Sequence, residues 1–286
     1  MLGEGREQAR RTGSKRQRIA LRLRQNAQTA VDQLAERAGL DAARPIVTLH
    51  VRESGYRQRP SGRQQQLDRL RNGRIETYRL AVTWLMERGY QVIRIGDSTM
   101  TPCEWPGVID LARAPWRTDA FELWAILNSR FFVCGDSGPY LLGQLTGVPC
   151  LSVNVFRLGY NTIRLNDRYI VKRVFDRVGG SYLSIAAQLS EAFLRRPLDL
   201  DRYEWMDNSP EDIREAVDDM VALLDHPSQA RTPAQQHHDR LLADLAARWK
   251  PDLGSPERLR FQRGGPGTIS PRFAAHYLDE GTPPVP

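Results

Sequence analysis

The sequence predicts an α/β protein, a doubly wound, Rossmann-like parallel sheet flanked by helices, with a helix ahead of the sheet and an irregular tail behind it. Three observations lead there. Segments rich in β-formers recur at 45–52, 90–97, 107–112, 130–136 and 148–154, and between several of them apolar residues fall at helical spacing. Strands alternating with helices at this interval mean βαβ units, and hence parallel strands. Four of these strands end in polar residues or glycine: His50-Val51-Arg52-Glu53, Gly96-Asp97, Gly135-Asp136-Ser137-Gly138 and Asn154. The carboxyl edge of a doubly wound sheet is where such a fold binds its ligand.

Residues 1–44 form a basic leading segment. Its first 25 residues hold eight Lys or Arg against Glu4 and Glu7, which favours disorder at the start. From about Ile19, Leu23, Ala27, Ala30, Leu34 and Ala38 share one helical face that stops near Gly39. A basic amphipathic helix suits anionic lipid, but a face made mainly of alanine inserts weakly. Packing onto the next domain is the expected role, with peripheral contact at the inner membrane face as the lesser one.

The domain proper spans 45–250. Residues 57–72 are polar and arginine-rich, read as a long loop that closes over a ligand. A helix over 75–88 follows, with Tyr78, Ala81, Val82, Leu85 and Met86 on its apolar side and Gly89 as its stop. Thr118 or Asp119 caps a helix through Leu127, and Pro139 opens one that ends at Gly147. Beyond Asn154 the spacing predicts a loop with a short strand over 161–172 and a helix over 182–193. Ser209-Pro210-Glu211-Asp212 is a strong helix start: serine caps, proline suits the first turn, and acids favour its positive end. A last helix covers 235–249, and the Gly/Pro-rich tail, 251–286, is expected to be irregular.

Composition narrows the function classes. At 286 residues, 41% of them hydrophobic and 26% charged, the chain can bury a sizeable core. No apolar run approaches the roughly 20 residues of a membrane span, and the start lacks the apolar core of a signal peptide, so the expected compartment is the cytoplasm. The net charge of +7 would suit nucleic acid, but 38 of the 41 basic residues are arginine, a bias consistent with GC-rich coding, and no specific nucleic-acid partner is expected. Arginine's fork does suit phosphate. Cys103, Cys134 and Cys150 are odd in number and contain no CxxC, which fits neither a disulfide framework nor a zinc site. His237-His238 occupy adjacent helical positions that do not converge on one ion, so they are read as a solvated face, and no metal site is expected.

Two local signals point to chemistry. Gly135-Asp136-Ser137-Gly138-Pro139, between a strand and a helix, would gather backbone N–H groups, a hydroxyl and a helix start suited to phosphate; equally, Gly135 makes the turn and Ser137 caps the helix. Arg52, closing an apolar strand, either pairs with an acid or faces a ligand anion. His50 reads equally as a core histidine or a contact. A GxGxxG, a GxxxxGK[ST] and a GxSxG elbow are all missing from the sequence.

The run HVRESGY, then VIRIGD with Met100 nearby, then FFVCGDSGP and GVPCLSVN, resembles a bacterial family of glycosyltransferase-like proteins encoded with surface-polysaccharide genes. NSPEDI and the stretch Gly267-Thr-Ile-Ser270-Pro-Arg-Phe273 are similar to it too, so the likeness covers roughly 45–275. The family is more distantly similar to the fucosyltransferase group of GT-B enzymes, whose donor domain opens with a strand ending in His-Val-Arg. The resemblance implies transfer of a hexosyl or fucosyl group from a nucleoside-diphosphate sugar, with a lean towards a GDP-sugar, to a glycan or lipid-linked hydroxyl, without metal or other cofactor. Arg52 would meet the β-phosphate, and Ser137 with Gly138 the phosphates. His50, Gly96, Asp97, Asp136 and Asn154 complete the expected donor site, and Glu53 is the expected catalytic base, with Asp97 and Asp136 behind it. Only 44 residues precede the first strand, fewer than an acceptor domain needs. A second Rossmann-like domain or a partner chain is therefore expected to complete the enzyme, the alternative being a non-catalytic nucleotide-sugar-binding or scaffold protein.

Overall fold

The computed structural model describes residues 20–54, 62–156, 164–194, 199–248 and 266–280, and the statements below concern these. Helix α1 (Gln25–Arg37) leads into strand β1 (Ile46–His50), whose five residues are all buried. Next comes α2 (Gly62–Arg71), then a 3-10 turn over Ile75–Tyr78 that continues as α3 (Arg79–Glu87) and ends at Gly89, where φ is +83°. β2 (Gln91–Arg94), β3 (Val108–Asp110), α4 (Asp119–Leu127), β4 (Ser129–Cys134), α5 (Tyr140–Thr146) and β5 (Cys150–Val155) complete the predicted alternation. Thr118 caps α4 through the Phe121 N–H.

β6 (Arg168–Val171) passes through Lys172 into β7 (Arg173–Asp176), followed by β8 (Ser181–Leu183), the short helices α6 (Ile185–Gln188) and α7 (Glu191–Leu194), and β9 (Tyr203–Met206). α8 (Pro210–Asp225) begins with the capping box that Ser209 and Asp212 promised. α9 (Pro233–Arg248), β10 (Thr268–Ile269) and α10 (Pro271–Tyr277) close the described chain.

Seven strands form one sheet in the spatial order β3-β2-β1-β4-β5-β6-β10, every pair parallel. This is the doubly wound Rossmann order, extended by one strand. β8, β7 and β9 form a separate antiparallel sheet. Alternation along β1 divides the core. Val47, Leu49 and Val51 face α3 and α8, whereas Ile46 lies in the cluster that includes Phe121 and Ala125 of α4 and Val31 and Ala35 of α1. The leading helix thus packs on the domain through Val31 and Ala35.

Three expectations need correction. Residues 62–71 are helix rather than loop: Arg, Gln and Leu are good helix formers, but with Leu70 as their buried apolar anchor they show no amphipathic stripe. The helix expected over 182–193 is a strand and two short helices, interrupted at Leu189 and Ser190. The tail is not irregular throughout. Thr268–Ile269 adds the seventh strand beside β6, and α10 packs Phe273 and Tyr277 into the main core.

Candidate functional site

β1 and β4 are neighbours whose chains continue to opposite sides of the sheet, so a crevice opens between their carboxyl ends. The register that pairs His50 with Cys134 brings the two outgoing segments together. Ser137 Oγ lies 3.0 Å from His50 Nδ1, and both residues are buried. Burial, reinforced by Arg94 and Arg52, pulls the His50 pKa from 6.5 down to about 4, so the imidazole is neutral at physiological pH.

Arg52 and Glu53 diverge, as neighbours on an extended chain do. The Arg52 guanidinium donates to Asn72 Oδ1 at 2.6 Å and to Asp68 Oδ1 at 2.7 Å. Asp68 lies 3.9 Å from Arg71, whose Nε donates to the Asp136 carbonyl at 3.0 Å and stands 3.3 Å from its carboxylate. Arg52, Asp68, Arg71 and Asp136 therefore alternate in charge and tie α2 to the ends of β1 and β4. Glu53 accepts from Arg94 at 2.8 Å and from the Thr101 N–H at 2.7 Å. Arg94 is wholly buried and also reaches Asp110 at 3.2 Å and the Thr101 carbonyl at 2.6 Å. Both Glu53 oxygens hold this edge of the sheet together, a structural task for the residue expected to be the base.

The other expected site residues spread out. Gly96 has φ +149°, a conformation that strains any L side chain, and a Cβ there would sit 2.2 Å from Met100 Sδ and force that side chain to move. Asp97 accepts from the Thr99 N–H at 2.9 Å and shapes the turn after β2. Asn154, at φ +56°, accepts from Asn208 N at 2.6 Å and donates its own N–H to Asn208 Oδ1 at 2.9 Å. It also donates through Nδ2 to Tyr78 at 3.3 Å, so its amide pins β5 to the segment before α8. The turn before α5 departs from the phosphate cradle: the Ser137 N–H returns to the Gly135 carbonyl at 2.9 Å, and Gly138 is exposed beside it.

An open cleft of about 360 Å³ adjoins this network. Its walls come from Glu53 after β1, Asn72 to Glu76 before α3, Thr101 after β2, and Lys172, Trp205 and Asp207 around the β6–β7 junction and β9. Asn72 belongs to both places, since it also holds Arg52. Lys172 is 3% exposed, donates to the Asn72 carbonyl at 2.8 Å and pairs with Asp207. Burial lowers the Lys172 pKa, and Asp207 opposes that. Asp207 also stands 3.5 Å from Arg74. Sequence reasoning missed Asp68, Asn72, Lys172, Trp205 and Asp207; the available signal was that Lys172 is a rare lysine in an arginine-rich chain.

The chain matches no protein-family model, and no curated protein sequence matches it. Among solved structures it is similar to a glycosyl transferase family 9 protein from Veillonella parvula DSM 2008, at 11% identity and TM-score 0.35, over 46% of this chain and 36% of that one. It is also similar to E. coli ADP-heptose lps heptosyltransferase II, at 15% identity and TM-score 0.38, over 73% of this chain and 54% of that one. The chain thus spans about half or less of their lengths. The fold itself rests on strand order: it is a doubly wound, Rossmann-type domain.

Among the described residues no group of three His, Cys, Asp or Glu is placed to hold a metal ion, and no helix is long and apolar enough to cross a membrane. The three cysteines are free and buried. The histidine pair is not one solvated face: His237 lies 3.7 Å from Asp279, whereas His238 is 1% exposed and packs against Tyr169.

Proposed function

We propose that the chain is the donor-binding domain of a glycosyltransferase that takes a nucleoside-diphosphate sugar, with GDP-sugars first among the candidates, and passes the sugar to a glycan or lipid-linked hydroxyl in surface-polysaccharide synthesis. The observation that carries this reading is Arg52, two residues beyond His50 at the carboxyl end of β1, where β1 lies beside β4. A diphosphate oxygen pair entering there replaces the Asp68 carboxylate and Asn72 amide on the arginine's fork. As the bond from the anomeric carbon to phosphate breaks, charge grows on the leaving diphosphate, and a fixed guanidinium stabilises it more in the transition state than in the ground state. The neutral His50 adds no charge but holds the Ser137 hydroxyl in place. On this reading the reaction needs no metal, and a second Rossmann-like domain or partner chain supplies the acceptor side.

Calorimetric titration against GDP, UDP, CDP and ADP tests the reading: one of them binds, and Arg52→Ala weakens that binding by about 2 kcal/mol, roughly a charge-assisted contact. Absence of binding to all four at millimolar concentration would sink it. A second reading, a non-catalytic nucleotide-sugar binder or scaffold, is favoured by one observation: Glu53, the residue expected to be the base, has both oxygens engaged by Arg94 and Thr101. Slow hydrolysis of the bound nucleotide sugar separates the two, because a transferase releases some sugar to water and a scaffold releases none.

A further inference from the structure

The cleft beside Arg52 differs in kind from an anion site. Three cations reach it, Arg69, Arg74 and Lys172, and three acids, Glu53, Glu76 and Asp207. Its innermost charges are already paired, Lys172 with Asp207 and Arg94 with Glu53. A cavity so balanced offers little net attraction to a phosphate. It does offer carboxylates held in fixed orientation, with lone pairs left over for hydroxyl donors. Trp205 belongs to the same wall, and its indole stands edge-on to Phe156 with ring centroids 5.9 Å apart. Oriented carboxylates beside a braced aromatic ring match a hydroxylated ring whose C–H face is apolar and whose rim donates hydrogen bonds.

We infer that this cleft is a carbohydrate pocket, which seats the sugar of the nucleotide sugar while the diphosphate lies at Arg52; the assignment rests on the function proposed above. Trp205 packs against the ring, Asp207 and Glu53 accept from its hydroxyls, and Lys172 and Arg94 keep those carboxylates in position. Asn72 links the two places, holding Arg52 through its side chain and Lys172 through its carbonyl. The volume of about 360 Å³ suits a single sugar ring with some water, in a pocket of the smaller ligand class.

The experiment measures affinities for a nucleoside diphosphate and for its sugar conjugate on wild type and Trp205→Ala. The variant is expected to lose about tenfold more affinity for the conjugate than for the diphosphate alone. Trp205→Phe, which keeps a ring against Phe156, gives the same readout with a smaller loss if the alanine variant does not fold. Equal losses for both ligands, or none, would overturn the carbohydrate pocket and leave the donor-domain reading intact. If wild type binds no nucleoside diphosphate, that reading falls, and the pocket is judged by saturation-transfer NMR with a panel of methyl glycosides. Transfer to a glycoside that disappears in Trp205→Ala sustains the pocket; no transfer from any of them overturns it.

Discussion

His50 shows how one buried side chain couples stability to pH. Its pKa falls to about 4 in the folded chain from an unfolded value of 6.5, with burial as the main cause and Arg94 and Arg52 adding to it. Between those values the unfolded chain binds the proton that the folded chain refuses. Stability from this group is therefore full above about pH 6.5 and is lost as pH falls towards 4, by about 3 kcal/mol at most. Urea titrations at pH 7 and pH 4.5 should show the loss, and His50→Gln should show much less of it; an unchanged slope would mean that His50 is not the group responsible. Arg94 offers a second test at this scale. Replacing it with methionine leaves Glu53 and Asp110 without their buried cation, a cost of about 3 to 5 kcal/mol by analogy with other broken buried pairs. Denaturant midpoints measure it, and a loss under 1 kcal/mol would make the pair dispensable. None of this pairing was legible in the sequence. Arg94 sits in an apolar strand forty-one positions from Glu53, and only the parallel register of β1 with β2 brings the two edges together.

At the scale of elements, the strands and the long helices were readable because burial imposes a period on them. β1, β2, β4 and β5 lie where their apolar runs placed them, and α8 starts at the capping signal of Ser209 and Asp212. α2 was not readable, and the reason predicts its behaviour. It is held by ion pairs of Asp68 and Arg71 with the strand ends, and Leu70 is its buried apolar anchor. Partly buried ion pairs of that kind weaken as salt rises, though less than exposed ones, whereas the apolar packing of α3, through Ala81, Val82, Trp84 and Leu85, does not. Hydrogen exchange across 62–71 should therefore quicken in 1 M salt relative to α3, and Asp68→Asn should produce the same contrast at low salt. Equal protection of the two helices under both conditions would refute the assignment. Under the function proposed above, partial loosening of α2 would also open Arg52 to the diphosphate.

For the whole molecule, the least legible part was the end of the chain. A two-residue strand is too short to carry a period, and glycine and proline around it read as loop, so β10 and α10 escaped notice. Yet they join the fold through several independent attachments. Thr268 and Ile269 pair with β6, Ser270 Oγ donates to Asp219, and Arg272 bonds Asp219 at 2.7 Å and Asp218 at 2.6 Å. Tyr277 donates to Asp212 at 3.0 Å, inside the capping box of α8, and with Tyr182 it sandwiches the Arg173 guanidinium. The tail thus connects the seventh strand, α8 and the small antiparallel sheet, whose β9 carries Trp205 on the cleft wall. Removing residues 266–286 should strip these contacts together, leaving Asp219 buried without the donors that satisfy it. The expected outcome is a fall in thermal midpoint of at least 10 °C, from several kcal/mol of lost packing in a chain of this length. A milder variant keeps the test sharp. Asp219→Ala alone should cost about 2 to 3 kcal/mol, and a double-mutant cycle with Arg272→Ala should return a coupling of about 1 kcal/mol or more, because the two side chains act through one shared bond. Additive losses in that cycle would show that Asp219 and Arg272 contribute independently and that their shared bond does not fasten the tail.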